Sequence, residues 1–243
     1  MRIIRSAAVV LSFCAGFAQA QGADQLAAAA MRDNPAMAQT ALDAGVDLNA
    51  KVGEGRTALI TAVMMVKPAM VKFLLDRGAD PNREAEGPTI GNALSAAFFA
   101  TSGAALTRRG EEEEIKALRA PALEILGLVA ARKPDFNVLV SRGTVRMSAL
   151  MIAADAGIPD AVKILLDAGA SPNFANAGRY TALDYAVARA PRWSPASPAD
   201  RAEVVRLLVA AGAQTRKKAA DGLTPIERAK HGGNQAVIGM LMN

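Results

Sequence analysis

The chain is poor in the residues that most often carry chemistry. It has one cysteine, one histidine and one tryptophan among 243 residues, and aromatic residues make up only 4%. Cys14 lies in a segment that we expect to be removed, which excludes disulfides and cysteine catalysis from the mature chain. A zinc site needs more than His231, because carboxylates alone are poor zinc ligands. We therefore predict no metal and no cofactor, and we interpret His231 as a cation at a helix carboxyl end.

Catalytic motifs are missing as well. The sequence contains no phosphate-binding loop and no dinucleotide fingerprint, and no serine stands in a G-x-S-x-G context. Two acidic residues, Asp155 and Asp160, are expected at turns between helices, where capping explains them. We predict that the protein is not an enzyme, and we keep a hydrolase built on a repeat scaffold as an alternative.

Charge and hydropathy indicate which kinds of partner and which fold class the chain favours. The formal net charge is +5, and Arg2 and Arg5 belong to the segment that we expect to be removed. The remaining excess argues only mildly for an acidic partner and falls far short of a nucleic-acid footprint. No later stretch approaches the length of a membrane span. The apolar 51% is rich in Ala, Leu, Val and Met, which favours closely packed helices over a sheet sandwich.

Residues 1–20 have the layout of a secretory signal peptide. Two arginines precede an apolar run over residues 7–17, and small residues flank a predicted cleavage site after Ala20. We therefore expect a mature protein that starts at Gln21 and is periplasmic or secreted. Lipidation of Cys14 is the alternative, although a bulky residue precedes that cysteine.

The rest of the chain contains internal repeats. The two clearest copies cover residues 56–82 and 148–173, and each has Thr or Ser followed by Ala-Leu at or next to its start, at Thr57 and Ser148. Both continue to Leu-Leu-Asp, one variable residue, and Gly-Ala. The interval is 33 residues between Gly45 and Gly78, and again 33 between Ser148 and Thr181. A constant interval of this length predicts a stacked array of small units.

Each copy is interpreted as a turn followed by two helices. Proline stands where the second helices should begin, at Pro35, Pro68, Pro159 and Pro198. Glycine stands where the same helices should close, at Gly45, Gly78, Gly169 and Gly212. No single unit can bury its own apolar face, so neighbouring units must stack.

These residues resemble the ankyrin family, whose repeat reads T-P-L-H-x-A-A and then V-x-x-L-L-x-x-G-A-D-P-N. The resemblance implies an all-α ankyrin-repeat solenoid of helix-turn-helix units with short β-turn fingers. We predict one domain over residues 21–243, with about six units near 24–49, 50–82, 83–137, 138–173, 174–214 and 215–243. The family histidine is replaced in five copies, by Ile60, Ser95, Met151, Asp184 and Glu227. In the family this histidine ties adjacent repeats by hydrogen bonds, so its loss should affect the inner loops but not the fold.

The resemblance also implies a function, because partners of such proteins bind the concave face made by the finger tips and first helices. We predict a monomeric interaction module that binds another folded protein of unknown identity. The alternative is an immunity or inhibitor protein that occludes a toxin or hydrolase. The predicted contact residues are Lys51, Glu54, Arg56, Arg83, Glu84, Glu86, Arg142, Arg146, Asn176, Arg179, Tyr180, Arg216, Lys217 and Asp221. For any one of them, a solvated turn is the competing interpretation.

The third and fifth units are longer than the others between their two helices, by about 20 and about 10 residues. In the family this connection lies opposite the fingers, so both insertions should project from one edge, on the order of 20 Å apart. The longer one holds Arg108, Arg109 and four glutamates at 111–114, which favours a lengthened second helix over a calcium or basic-partner site. The shorter one holds Arg192 and Trp193. The tryptophan is either a binding anchor or folds back over the helix ends, and these arginines and Trp193 form a second candidate surface.

Overall fold

The computed structural model describes residues 21–87, 89–101, 112–188, 196–232 and 235–242, with the backbone alone at 99–101, 112–116 and 235–236. Helices dominate the described residues and fall into six consecutive pairs. The first pair is α1, which covers residues 21–31, and α2 (Pro35–Asp43). The other pairs are α3 (Ala58–Met64) with α4 (Pro68–Asp76), α5 (Ala93–Thr101) with α6 (Glu112–Ala130), α7 (Ala149–Ala156) with α8 (Pro159–Ala168), α9 (Ala182–Val187) with α10 (Pro198–Ala210), and α11 (Pro225–Gly232) with α12 (Gln235–Met242).

The helices form two layers. The first helices α3, α5, α7, α9 and α11 pack side by side in one layer, and the second helices α4, α6, α8, α10 and α12 do so in the other. Each first helix also packs against the second helix of its own pair. Because each unit contacts only its neighbours, stability is distributed along the stack. This architecture is the helical solenoid that the repeats predict.

The core lies between the two layers and runs through every unit. Alanine is its commonest residue, and alanine lets helices approach closely while it favours helix formation. Larger side chains such as Phe98, Leu59 and Ile152 fill the remaining space. Helix α7 is nearly all core, since seven of its eight residues are buried.

Local sequence signals set the helix ends, and these predictions are confirmed. Proline occupies the first turn of α2, α4, α8 and α10, where a missing N–H costs nothing. The four predicted closing glycines all have positive φ, from 83° at Gly45 to 107° at Gly169. Side-chain oxygens of Thr57 and Ser148 accept hydrogen bonds from the first turns of α3 and α7, as N-capping requires.

Acidic residues replace the family histidine in two first helices and make their own caps. The Asp184 carboxylate accepts hydrogen bonds from the backbone N–H and the hydroxyl of Thr181, at 2.8 and 2.9 Å. Glu227 accepts the equivalent pair from Thr224, at 2.7 and 2.8 Å. These capping boxes hold the loop ends at the start of α9 and α11 without the histidine.

The long insertion does lengthen a second helix, because α6 has 19 residues while α4 has 9. Arg108, Arg109, Arg192 and Trp193 lie outside the described residues, so the direction in which the two insertions project stays a prediction. His231 lies in the last turn of α11, as predicted. No helix in the described part of the chain is long and apolar enough to cross a membrane.

Candidate functional site

Five β-turn segments, termed fingers, each lead into the first helix of a unit and are numbered by that unit. Finger 2 covers residues 51–56, finger 3 residues 83–87 and 89–91, finger 4 residues 140–147, finger 5 residues 174–180, and finger 6 residues 214–223. Finger 4 is the most regular. Its strands β1 (Val140–Arg142) and β2 (Val145–Met147) pair antiparallel, with Val140 opposite Met147.

Fingers 2, 3 and 4 touch one another through glycines. The Glu86 side chain of finger 3 lies over Gly55 of finger 2, where an added Cβ would come within 2.2 Å of the Glu86 Cγ. In the same way, Val140 of finger 4 lies over Gly91, within 2.5 Å of an added Cβ. Both glycines have positive φ, so space and backbone conformation both require glycine there.

Asn176 joins finger 5 to finger 4. Its amide nitrogen donates hydrogen bonds to the Arg146 carbonyl at 3.0 Å and to the Tyr185 hydroxyl oxygen at 2.9 Å. Its amide oxygen accepts from the backbone N–H groups of Gly178 and Tyr180, at 3.0 and 3.1 Å. Two donors and two acceptor positions are the full capacity of an asparagine amide. The structure thus buries this predicted contact residue and uses its amide to order the fingers.

Finger 6 is joined to finger 5 by backbone and side-chain contacts. The Ala220 N–H donates to the Gly178 carbonyl at 3.0 Å. From α11, the Arg228 guanidinium lies 5.0 Å from the centre of the Tyr180 ring and pairs with Asp221 at 2.8 Å. Tyr180 and Asp221, both predicted contact residues, are therefore engaged within the chain. Together these contacts make fingers 2 to 6 a continuous row.

A cleft of about 540 Å³ opens between finger 4 and the first helices α7 and α9. It is termed the central cleft and is lined by Ser141, Arg142, Gly143, Val145, Met147, Asp155 and Tyr185. One part of the lining is apolar, with Val145 38% exposed. The rest includes the guanidinium of Arg142, the carboxyl of Asp155 and the phenol of Tyr185. Apolar walls with a few placed polar groups are typical of a binding pocket.

Asp155 lies inside α7 and not at a turn, so the prediction that capping explains it is wrong. It is the one residue of α7 that is not buried, and its side chain lines the central cleft. Burial raises the pKa of the Asp155 carboxyl, and the nearby Arg201 and Arg142 guanidinium groups act in the opposite direction. A carboxyl perturbed in this way within a cleft marks a candidate functional residue. Asp160, by contrast, lies in the first turn of α8, as expected.

Arg201, on α10, is buried next to the central cleft and binds the backbone of the helices that line it. It is only 4% exposed, and its guanidinium donates to the Ala186 and Ala188 carbonyls at 3.1 and 3.4 Å. A third bond reaches the backbone carbonyl of Asp155 at 2.5 Å. One side chain thus satisfies carbonyl groups at the carboxyl ends of α9 and α7, which have no partner within their own helices. Arg201 thereby connects the fourth and fifth units at the backbone of Asp155.

Two further titratable groups of the cleft, Arg142 and Tyr185, are also partly buried. Burial lowers the pKa of the Arg142 guanidinium, while Asp155 acts to raise it, and an arginine remains charged at neutral pH. Burial raises the pKa of the Tyr185 phenol, against the lowering effect of its hydrogen bond from Asn176. Tyr185 is therefore a neutral phenol, and its O–H can donate into the cleft because Asn176 binds its oxygen.

Two family models for ankyrin repeats match the chain. One, for three copies of the repeat, matches residues 8–85, and the other, for a single repeat, matches residues 146–177. The chain is an ankyrin-repeat protein. Ankyrin repeats are protein–protein interaction modules, and their fold is typically a binding scaffold without catalysis. No curated protein matches the sequence significantly.

Solved structures, among them two of ankyrin-repeat proteins, resemble the stack. EF0377, an ankyrin repeat protein, has a TM-score of 0.70 and 26% identity, with 91% of this chain and 98% of that chain covered. An ankyrin repeat domain from Acinetobacter baumannii has a TM-score of 0.68 and 23% identity, with 89% and 95% covered. A third match is to the Bdellovibrio bacteriovorus predatory endopeptidase Bd0816 in complex with immunity protein Bd3460, with a TM-score of 0.59, 22% identity, and 90% and 96% covered. High coverage of both chains shows that the similarity in fold extends over the whole array.

Within this ankyrin-repeat array, most of the predicted contact residues are exposed at the fingers. They are Lys51, Glu54, Arg83, Glu84, Glu86, Arg146, Arg179, Arg216, Lys217 and Asp221. Three others are partly buried, namely Tyr180, Arg142 in the central cleft, and Arg56, which pairs with Glu54 at 3.2 Å. No group of three or more His, Cys, Asp or Glu residues among the described residues is arranged to hold a metal ion.

Sequence reasoning missed Asp155 and Tyr185 as residues of the site. The signal for Asp155 was present, because it is the single charge in an otherwise apolar helical segment from Ala149 to Ala156. A charge in such a segment must face solvent or a cleft. Tyr185 gives a weaker signal, since a tyrosine in a first helix packs in the core as readily as it lines a pocket.

Proposed function

We propose that the protein binds a folded partner on its concave face, the surface formed by fingers 2 to 6 and the first helices, and catalyses nothing. The central cleft is the observation that carries the proposal. It lies at finger 4, the middle of the row, and interface anchors concentrate in desolvated pockets near the centre of an interface. A side chain of the partner that combines apolar and polar groups fits its lining.

The same cleft supports binding rather than catalysis. Its lining includes the hydroxyl of Ser141 but no histidine, and a serine nucleophile needs an adjacent base. His231 lies on α11, in another unit. The charged and polar groups of the cleft can bind and orient a side chain of the partner. Arg201 fixes the backbone of Asp155 through a hydrogen bond to its carbonyl.

Site-specific photo-cross-linking tests this proposal. A photoreactive amino acid at Val145, 38% exposed beside the central cleft, should capture the partner in cells of the source organism. The matched control is Met65, 44% exposed in the turn between α3 and α4, at the opposite end of its unit from the fingers. Capture from position 65 but not from 145, or from neither, would contradict the proposal.

A second candidate function is that of an immunity or inhibitor protein. It is favoured by the similarity in fold to the structure of an endopeptidase in complex with an immunity protein. This function requires that the partner captured at Val145 be a toxin or hydrolase. Its activity should then fall on addition of one equivalent of the ankyrin-repeat protein, and an unchanged rate would reject inhibition.

We also propose that the protein is exported and that its mature form starts at Gln21. The signal-peptide layout of residues 1–20 supports this, and cleavage there leaves α1 and its buried contacts, such as Gly22 beside Val46, in place. Mass spectrometry of the protein from fractionated cells should find a chain that begins at Gln21 in the periplasm or medium. A chain that retains residues 1–20 in the cytoplasm would refute export.

A further inference from the structure

The charge of the fingers changes along the row. Fingers 2 and 3 hold three basic residues, Lys51, Arg56 and Arg83, and three acidic residues, Glu54, Glu84 and Glu86. Fingers 4 to 6, here termed the basic fingers, hold six basic residues, Arg142, Arg146, Arg179, Arg216, Lys217 and Lys218. Their one acidic residue is Asp221. Positive charge is therefore concentrated at one end of the concave face.

Most of this charge is presented to solvent rather than paired within the chain, although Lys218 interacts electrostatically with the Glu227 carboxylate of α11. All of the six basic residues except Arg142 are exposed, and within the described residues none of these five forms an ion pair. Asp221 does not offset them, because it is held by Arg228 of α11 at 2.8 Å.

The outer layer of second helices behaves differently. There, Arg132 pairs with Asp76 at 2.6 Å, and Arg206 pairs with Glu203 at 2.5 Å. Exposed charges of one sign that form no ion pairs on a single surface attract an oppositely charged partner and accelerate its association. The basic fingers, with six basic residues against one acidic residue, form such a surface.

We propose that the basic fingers recognise an acidic patch on the folded protein partner. Fingers 2 and 3, whose charges balance, contact an uncharged part of the same partner's surface. The proposal rests on the proposed function. A nucleic acid fits the face less well, because a strand that followed the row would meet Glu84 and Glu86 at fingers 2 and 3. The basic fingers contain two aromatic residues, both in finger 5. Phe174 packs against the hydrophobic core and Tyr180 lies under the Arg228 guanidinium, so neither ring is free to stack on bases.

The test uses two double variants with the same change in net charge. Arg179→Glu/Lys217→Glu reverses charge on two basic fingers, and Lys51→Glu/Arg83→Glu reverses it on fingers 2 and 3. All four side chains are exposed, so both variants should keep the thermal stability of the parent protein. The probe is a polyglutamate peptide, followed by the backbone amide NMR shifts of the mature chain at low ionic strength, with polylysine as the charge-reversed probe.

Polyglutamate should shift amides of the basic fingers, and its affinity should fall about tenfold in Arg179→Glu/Lys217→Glu and far less in Lys51→Glu/Arg83→Glu. Raising the salt should weaken binding, because exposed charges are screened beyond about 10 Å at 0.1 M. Equal losses in both variants, or shifts centred on fingers 2 and 3, would overturn the inference. Tighter binding of a DNA duplex by the same fingers would overturn it in favour of nucleic acid.

Failure of this inference is distinguishable from failure of the proposed function. If cross-linking at Val145 captures a partner and Arg179→Glu/Lys217→Glu leaves that capture unchanged, the acidic-partner inference is wrong and concave-face binding stands. If polyglutamate binds as expected but no partner is captured at Val145, the preference of the basic fingers stands and the proposed function is wrong.

Discussion

Replacing Arg201 by methionine should unfold the middle of the stack more readily than any exposed arginine change. Arg201 is 4% exposed and donates three hydrogen bonds to backbone carbonyls at the ends of α7 and α9. Methionine has a similar length and fills the space of the alkyl chain. It offers no donor, so the carbonyls of Asp155, Ala186 and Ala188 lose their partner.

The magnitude follows from the number of acceptors left behind. A buried acceptor that loses its partner costs about 1–3 kcal/mol. The bonds to Asp155 and Ala186 are the shorter two, at 2.5 and 3.1 Å, while the bond to Ala188 is 3.4 Å and contributes least. We therefore expect the free energy of unfolding to fall by about 3 kcal/mol. For a chain of this size, this lowers the Tm by roughly 6–12 °C.

The assay is thermal unfolding followed by circular dichroism, together with amide hydrogen exchange. The control is Arg206→Met on the same helix α10, where the arginine side chain is 58% exposed and pairs with Glu203. Exposed ion pairs contribute about 0–1 kcal/mol, so this change should be nearly neutral. Faster exchange in Arg201→Met should be confined first to the ends of α7 and α9. If both variants melt at the same temperature, Arg201 does not tie the two units together.

Two further predictions concern the fingers and the cleft. Gly55→Ala should lower the free energy of unfolding by more than the roughly 1–2 kcal/mol expected for a non-glycine residue in the left-handed region, because the new Cβ also displaces Glu86. Gly53→Ala, with φ of 54° and open space around it, should cost only the conformational part, and equal losses in urea titrations would show that finger packing contributes nothing. Because burial raises the pKa of Asp155, the folded state binds the carboxyl proton more tightly than the unfolded state does. The free energy of unfolding should therefore increase as the pH falls through that raised pKa towards about 4, the value in the unfolded chain. Asp155→Asn should thus be more stable than the parent at pH 7, with the difference vanishing at acid pH, and a difference independent of pH would refute the linkage.

Asp155 in the central cleft and Arg201 next to it affect the stability of the fold in opposite directions. A partly buried carboxyl whose ionised form is disfavoured in the fold weakens the protein at neutral pH, and such groups persist where they serve a ligand. A gain of stability in Asp155→Asn, accompanied by weaker capture of the partner, would link the two roles. Arg201 works in the opposite sense, because it stabilises the fold while it lies outside the lining of the cleft.

The sequence alone determined the array of units and the ends of their helices. Proline at the first turn of α4 and the closing Gly78 act through a few neighbouring residues, so their effect can be predicted from position along the chain. The same holds for the caps at Thr57 and Ser148. The exposure of most finger residues could be predicted as well, since turns between buried helices lie at the protein surface.

Only the tertiary structure decided which side chains line the central cleft, the candidate site. Arg142, Asp155 and Tyr185 belong to a hairpin and two helices, and they meet because the fourth and fifth units stack at a particular distance and angle. Asn176 was expected to contact a partner, yet the stacking of finger 5 on finger 4 buries it and uses its amide. Local sequence patterns determine what each segment becomes. Whether a polar side chain is buried, supported or presented to a partner depends on the neighbouring unit, whose placement no local pattern encodes.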